Sequence, residues 1–213
     1  SKVINNLLVL ASDEATEKEL KQLLNKIISD TKQIASWQVI AISDLIENSK
    51  EIDISKLDLV IDEQFINSLE AITNNIDLKV ENRAAALRLM INLINKPQIL
   101  NAILQKQLNP YSPNQLFDFA ITKLSNTPPS VHAHLVHWKS YSPNTNNRVL
   151  QHILNNEKKT IGLLKAIQNS QLQASDISTA FQQLLKQHTN ETIKEQAKKY
   201  FGSQNPKRNQ LII

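Results

Sequence analysis

Apolar residues recur along the chain with the spacing of an amphipathic α-helix. In residues 15–28, Leu20, Leu23, Leu24, Ile27 and Ile28 fall at i, i+3, i+4, i+7 and i+8, so they form one stripe. Strand-like alternation is almost absent, and residues 57–62 alternate over too few positions to support a sheet. The pattern predicts an all-α protein of ten to twelve short helices. A second stripe contains Ile34, Trp37, Ala41 and Leu45, and further stripes lie at 65–74, 82–94, 98–107, 114–125, 130–138, 146–154, 158–168, 176–187 and 191–201.

The prolines support the same boundaries, since they fall between the stripes, where a missing N–H group costs little. Residues 112–115 and 142–145 read SPNQ and SPNT. Serine followed by proline is typical of a helix N-cap with proline at the first helical position. Ser112 and Ser142 are therefore predicted N-caps.

One kind of helix recurs, in which a small or apolar residue is followed four positions later by a larger one. A small residue lets two helices approach closely, and its partner one turn later fills the adjacent space. Units of two helices stacked in this way form an α-solenoid. We expect a single HEAT- or armadillo-like repeat domain over residues 1–213, and the alternative is a compact irregular bundle. The pairs are Ala41/Leu45, Ala86/Met90, Ala120/Leu124, Leu150/Leu154 and Ala197/Phe201.

Composition excludes several kinds of chemistry. The two glycines, Gly162 and Gly202, cannot form a GxGxxG or GxxxxGK phosphate loop. The absence of cysteine excludes disulfides, Cys-ligated zinc, Fe–S clusters and covalent haem attachment within this sequence. No apolar run is long enough to span a membrane, and the N-terminal residues do not match a signal peptide.

Charge is distributed unevenly between the two halves of the chain. Residues 1–106 contain 12 Lys/Arg and 15 Asp/Glu, a net charge of −3, whereas residues 107–213 contain 12 and 5, a net charge of +7. A basic half can indicate a nucleic-acid surface, but solvated outer helix faces are the favoured explanation. Dense basic clusters are absent apart from two Lys-Lys pairs, at 158–159 and 198–199.

Three histidines in VHAHLVHW, residues 131–138, raise the question of a metal site. On a helix only His134 and His137 are neighbours, because His132 points elsewhere. Two imidazoles make a weak zinc site, so a third ligand would have to come from His152 or an acid. We expect exposed or capping histidines beside an apolar stripe of Val131, Leu135 and Trp138, and no metal.

The remaining candidate residues favour structural roles. Trp37 and Trp138 lie on apolar stripes and are expected in the core rather than in base stacking. His188 follows a helix end, where the dipole favours a cation. The acidic side chains of residues 53–63 lack EF-hand spacing, so a solvated loop is expected rather than a calcium site. These acids are Asp53, Asp58, Asp62 and Glu63.

A series of motifs extends from residue 65 to 208. Its residues are Arg83, Ala85, Ala86, Leu87, Pro110, Ala120, Trp138, Arg148, Leu163, Leu164, Ala166, Ile167, Leu184, Leu185, His188, Ile193, Ala197 and Phe201. Their order resembles the HEAT-like region of bacterial membrane-bound dehydrogenases. These are multidomain proteins with a β-propeller first, helical repeats next, and a CxxCH haem-binding cytochrome domain last. The sequence departs from the family at Gln182 and Gln183, where arginine is usual.

The resemblance implies a non-catalytic spacer that positions a cytochrome c domain, in an exported or periplasmic protein. Residues 1–64 would be N-terminal repeats, 65–202 family-like repeats, and 203–213 a linker toward a missing domain. The resemblance implies no catalytic residue, cofactor or metal in this sequence. Haem c would be bound by a neighbouring domain of the same multidomain protein, and the partners would be the other domains of that protein. The alternative is a free-standing HEAT-like module that binds a protein or, less favoured, nucleic acid, as HEAT-like DNA glycosylases do.

Overall fold

The computed structural model describes residues 34–48, 61–124 and 128–202, together with a few positions between 16 and 25. All regular elements in these ranges are helical and none is a strand, which confirms the all-α prediction. From residue 34 onward the described ranges contain ten α-helices, namely α1 (Ser36–Asn48), α2 (Glu63–Asn74), α3 (Val80–Leu93), α4 (Pro97–Gln107), α5 (Asn114–Lys123), α6 (Pro128–Leu135), α7 (Pro143–Leu154), α8 (Glu157–Gln168), α9 (Thr179–Lys186) and α10 (Glu191–Phe201).

Three of these helices begin with proline. This is expected because the N–H group that proline lacks would have no partner within the helix at its first position. Pro97, Pro128 and Pro143 are the first residues of α4, α6 and α7. The Ser142 hydroxyl accepts a hydrogen bond from the Thr145 N–H at 3.2 Å, so it is an N-cap. At the other predicted cap, Ser112, the helix begins one residue later than expected. Helix α5 begins at Asn114, and the carbonyl of Pro113 accepts from the Phe117 N–H at 3.0 Å.

The chain divides into two compact units. Unit 1 comprises Ser1–Gln107 and Tyr111–Lys123, and unit 2 comprises Leu108–Pro110 and Leu124–Ile213. In unit 1, helices α1, α3 and α5 pack in series, because α3 contacts both of the others. Helix α2 packs on α3, and α4 packs on α5. Helices α2 and α4, which connect the members of this series along the chain, thus each pack on the helix that follows them.

Unit 2 repeats this arrangement with its own five helices. Helix α8 contacts both α6 and α10, while α7 packs on α8 and α9 packs on α10. Gly162 is the close-contact point between α8 and α6, since a Cβ atom there would lie 3.1 Å from Cγ2 of Val131. Near the start of the unit, the buried Tyr141 hydroxyl donates to the Leu108 carbonyl at 2.8 Å, and burial raises the pKa of this phenol to about 12.

The small-then-large pairs lie in the core, as predicted. Ala86 with Met90 on α3 and Ala120 with Leu124 at the end of α5 are almost completely buried. The same holds for the pairs on α1 and α10. Leu154 is the exception, because it is only partly buried at the end of α7. Their burial supports the role assigned to small residues in bringing helices together.

The prediction that Trp37 lies in the core is wrong, since 47% of its surface is exposed. The buried residues of α1 include Val39, Ile42 and Ile46, so the arc that faces the core is centred near Ile42. At 100° per residue, Trp37 lies about 140° from that centre. The stripe chosen from the sequence therefore followed one edge of the buried arc. Trp138 is only 4% exposed, which confirms its core position.

Several predictions concern residues outside the described ranges. Of the first predicted stripe only Leu24 is described, and it is helical and buried. The short alternation at 57–62 lies mostly outside, as does the predicted linker at 203–213. Those expectations stay predictions.

Enlarging Ala86 tests the packing of α3 against its neighbours. We expect Ala86→Leu to destabilise the protein by about 1–3 kcal/mol, because the side chain has no exposed surface and the extra volume would force neighbouring groups apart. Ala71→Leu on the exposed face of α2 is the matched control and should change stability little. Urea unfolding followed by circular dichroism measures both, and equal stabilities would contradict the close packing of α3.

Candidate functional site

The three histidines on α6 and in the turn that follows it have three different environments. His132 is exposed, His134 has no exposed surface, and His137 is partly buried beside Tyr141, with ring centroids 6.3 Å apart. The expectation of exposed or capping histidines is therefore wrong for His134. The reason is that the buried face includes Val131 and His134 on α6 and Trp138 just after it, while Leu135 is only partly buried.

His134 meets His152 rather than His137. The ring centroids of His134 and His152 lie 5.5 Å apart, with the rings tilted by 52°. His152 is on the last turn of α7, so the contact joins two helices of unit 2. Within the described ranges, no group of three or more histidine or acidic side chains is placed to hold a metal ion.

Lys159 completes this cluster from the first turn of α8. Asn156 caps this helix, and its side-chain carbonyl accepts from the Lys159 N–H at 3.1 Å. The Lys159 residue is only 2% exposed, and its Nζ lies 2.6 Å from Nε2 of His152. We call His134, His152 and Lys159 the basic cluster. The sequence pairs Lys158 with Lys159, yet only Lys158 is exposed.

Burial sets the protonation of the basic cluster. Burial lowers the pKa of His134 to about 3, with further lowering by the charges of Lys159 and His152. Burial also lowers the pKa of His152 to about 4, and the charge of Lys159 adds to this effect. The pKa of Lys159 is lowered by burial as well. Both imidazoles are therefore neutral at pH 7, and Nε2 of His152 accepts from the lysine.

The hydrogen bonds of the cluster are incomplete. Neither ring nitrogen of His134 has a hydrogen-bond partner among the described residues. A neutral imidazole carries one N–H donor and one acceptor nitrogen, so a buried ring without partners leaves both unsatisfied. Such a group costs about 1–3 kcal/mol relative to a satisfied one. The basic cluster therefore offers an N–H donor and an ammonium group at one buried place.

The other candidate residues named from the sequence lie at the ends of helices or outside the described residues. Asp62 is the N-cap of α2, where its Oδ1 accepts from the Phe65 N–H at 2.7 Å. His188 lies just after α9, and its Nδ1 accepts from the Asn190 N–H at 3.0 Å. Glu63 is the first residue of α2. Asp53 and Asp58 lie outside the described residues.

Unit 1 contains a groove of about 590 Å³ between α2, α4 and the connection that precedes α4. Isoleucine and alanine side chains line it together with Glu63, Glu70, Lys96 and Lys106. Glu70 and Lys106 form an ion pair across it. The groove thus has both apolar and polar walls, and side chains of both charges line it.

Comparisons of the chain with protein-family models, with curated proteins and with solved structures found no match. The resemblance to the haem-binding dehydrogenases accordingly stays a prediction. In the part of the chain that the structure describes, no helix has the length and apolar character needed to cross a membrane.

Proposed function

We propose that this chain is a non-catalytic helical-repeat scaffold. The observation that carries the proposal is the packing order that occurs twice, in helices α1–α5 and again in α6–α10. In each unit three helices pack in series, and two connecting helices each pack on a member of that series. A repeated packing unit of this kind is the basis of HEAT- and armadillo-like solenoids.

The residues at the helix contacts support the same proposal. Ala86, Ala120 and Ala197 are fully buried on α3, α5 and α10, which are members of the two series. Gly162 contributes the close approach of α8 to α6. Small residues at these places let helices stack at short distances, and a stacked array presents an extended surface to partners.

A local perturbation in unit 2 distinguishes a solenoid from an irregular bundle. In a solenoid each repeat is stabilised by its nearest neighbours, so damage spreads only to them. We expect Ala197→Leu in α10 to increase amide hydrogen exchange in α8 and α9, which contact α10, and to leave α6 and α7 close to wild type. Equal loss of protection in all five helices would favour an irregular bundle with one shared core.

The resemblance makes the proposal more specific, namely a spacer between a propeller and a cytochrome c domain. Arg83, one of the matched residues, donates from Nε to the Thr73 carbonyl at 2.9 Å and so joins α3 to the end of α2. The gene sequence beyond the codon for Ile213 tests the spacer role. A downstream CxxCH motif is expected, and a downstream sequence without any haem-attachment motif would contradict it.

The charge of the second half favours one other candidate, a module that binds an acidic partner such as nucleic acid. Residues 107–213 have a net charge of +7. The exposure of Trp37 removes one argument against base stacking, but this residue belongs to the acidic half. Fluorescence anisotropy with a labelled duplex at low salt tests this candidate, since phosphate-driven binding weakens steeply as salt rises. Binding with that salt dependence would replace the scaffold proposal.

A further inference from the structure

The charge of Lys159 is not balanced by a carboxylate. Unit 2 contains four acidic side chains, Glu157, Asp176, Glu191 and Glu195, and none of them is buried. Glu157, on the same turn as Lys159, accepts instead from Nδ2 of Asn190 at 3.2 Å. Among the residues that the structure describes, the Lys159 ammonium has one partner, the neutral imidazole of His152. A buried ammonium without a counter-charge is costly, so an ion of opposite sign would be strongly favoured there.

The position of Lys159 adds to the positive potential. It lies in the first turn of α8, where the unpaired N–H groups of a helix and its dipole favour negative charge. His134 provides the second, independent feature, since its ring is fully buried and neither nitrogen has a partner among the described residues. The centroid of its ring lies 5.5 Å from that of His152, which contacts the Lys159 ammonium.

We propose that His134, His152 and Lys159 form a binding site for a small monovalent inorganic anion of the size of chloride. The Lys159 ammonium would neutralise its charge, and the N–H group of His134 would gain an acceptor. One lysine charge balances one negative charge, whereas a phosphate dianion would leave a second charge buried. A metal cation fits less well, because the ammonium repels it and the site has only two imidazoles and no carboxylate.

Anion-dependent stability of the full chain tests the site. Thermal unfolding is measured at pH 7 and constant ionic strength, with sodium chloride replaced stepwise by sodium gluconate, whose anion is much larger than chloride. Chloride should raise the midpoint saturably, by about 3–6 °C once its concentration exceeds the Kd tenfold. Equal midpoints in the two salts would overturn the proposal.

Two variants locate the effect. Lys159→Met should abolish the chloride dependence, while Lys158→Met, which removes an exposed neighbour of the same charge, should retain it. Persistence of the chloride effect in Lys159→Met would place the anion elsewhere and overturn the assignment. Because a variant can fail to fold, anomalous scattering from bromide in crystals of the unmodified protein gives a separate answer, with a peak expected beside Nζ of Lys159.

Two other results would also overturn the proposal. One is an uncharged Lys159 side chain at pH 7 in saturating chloride, seen by NMR of the Nζ group, since a neutral amine needs no anion. The other is stabilisation by Zn²⁺ that disappears in His134→Leu, which would assign the cluster to a metal.

Discussion

Acidification from pH 7 to pH 4 should destabilise unit 2 by several kcal/mol, mainly through His134. The imidazole of His134 has a pKa of about 3 in the folded protein, against about 6.5 in an unfolded chain. Burial is the main cause, and the charges of Lys159 and His152 add to it. His152 behaves in the same direction, with a folded pKa of about 4.

The sign follows from proton binding in the two states. Between pH 6.5 and pH 3 the unfolded chain holds a proton on residue 134 and the folded protein does not, so lower pH favours unfolding. The contribution of His134 to the free energy of unfolding is therefore complete above pH 6.5 and falls by about 1.4 kcal/mol per pH unit below it. For His134 alone the loss from pH 6.5 to pH 4 is roughly 3 kcal/mol, a large part of the 5–15 kcal/mol typical of a folded domain.

The groups that act on these imidazoles are few. Lys159 acts on both from α8, and His152 acts on His134 from α7. A chloride ion in the basic cluster would raise both histidine pKa values and so reduce the acid sensitivity. The pH dependence should therefore be less steep in chloride than in gluconate.

Urea unfolding between pH 4 and pH 8 measures the effect. His134→Leu should flatten the profile, because the group that takes up the proton is removed from a fully buried position. His132→Leu is the matched control, since this histidine is exposed on the same helix, and its profile should follow the wild type. A wild-type profile that is flat from pH 7 to pH 4 would show that His134 is protonated in the folded protein.

The helices could be predicted because their signals are local. Periodic apolar positions and the Ser142–Pro143 cap act within a few residues, and they gave nine of the helical segments close to their observed bounds. Trp37 shows the limit of periodicity. A stripe along one edge of a buried arc satisfies the same spacing as one at its centre, and the difference depends on which neighbour covers the helix.

The basic cluster could not be predicted because it depends on contacts between helices. An apolar stripe from Val131 on α6 to Trp138 just after it can pass through either His134 or Leu135, and apolar character favours the leucine. The approach of α8 at Gly162 selects the other face and buries the histidine. Lysine is expected to extend its charged end to water. Lys159 does not, because α8 is packed by α6, α7 and α10.

Replacement of Lys159 by methionine is expected to stabilise unit 2 at pH 7 by about 1–4 kcal/mol. Methionine fills a similar volume without a charge, and well-packed apolar replacements of buried charged groups are often more stable by that amount. His152 loses the group bound to its Nε2, but this imidazole is only partly buried and can turn to water. Lys158→Met should change stability by less than about 0.5 kcal/mol, because that side chain is exposed.

The stability gained by Lys159→Met should depend on pH. Burial lowers the folded pKa of Lys159 below 10.5, so wild-type stability rises as the pH increases from that folded pKa towards 10.5, and the advantage of Lys159→Met shrinks. The variant should also have higher pKa values at His134 and His152, because the lysine charge lowers both. Histidine titration by NMR and urea unfolding at several pH values measure these effects. A less stable variant with unchanged histidine titrations would show that the Lys159 ammonium reaches water and that the cluster is not a buried basic site.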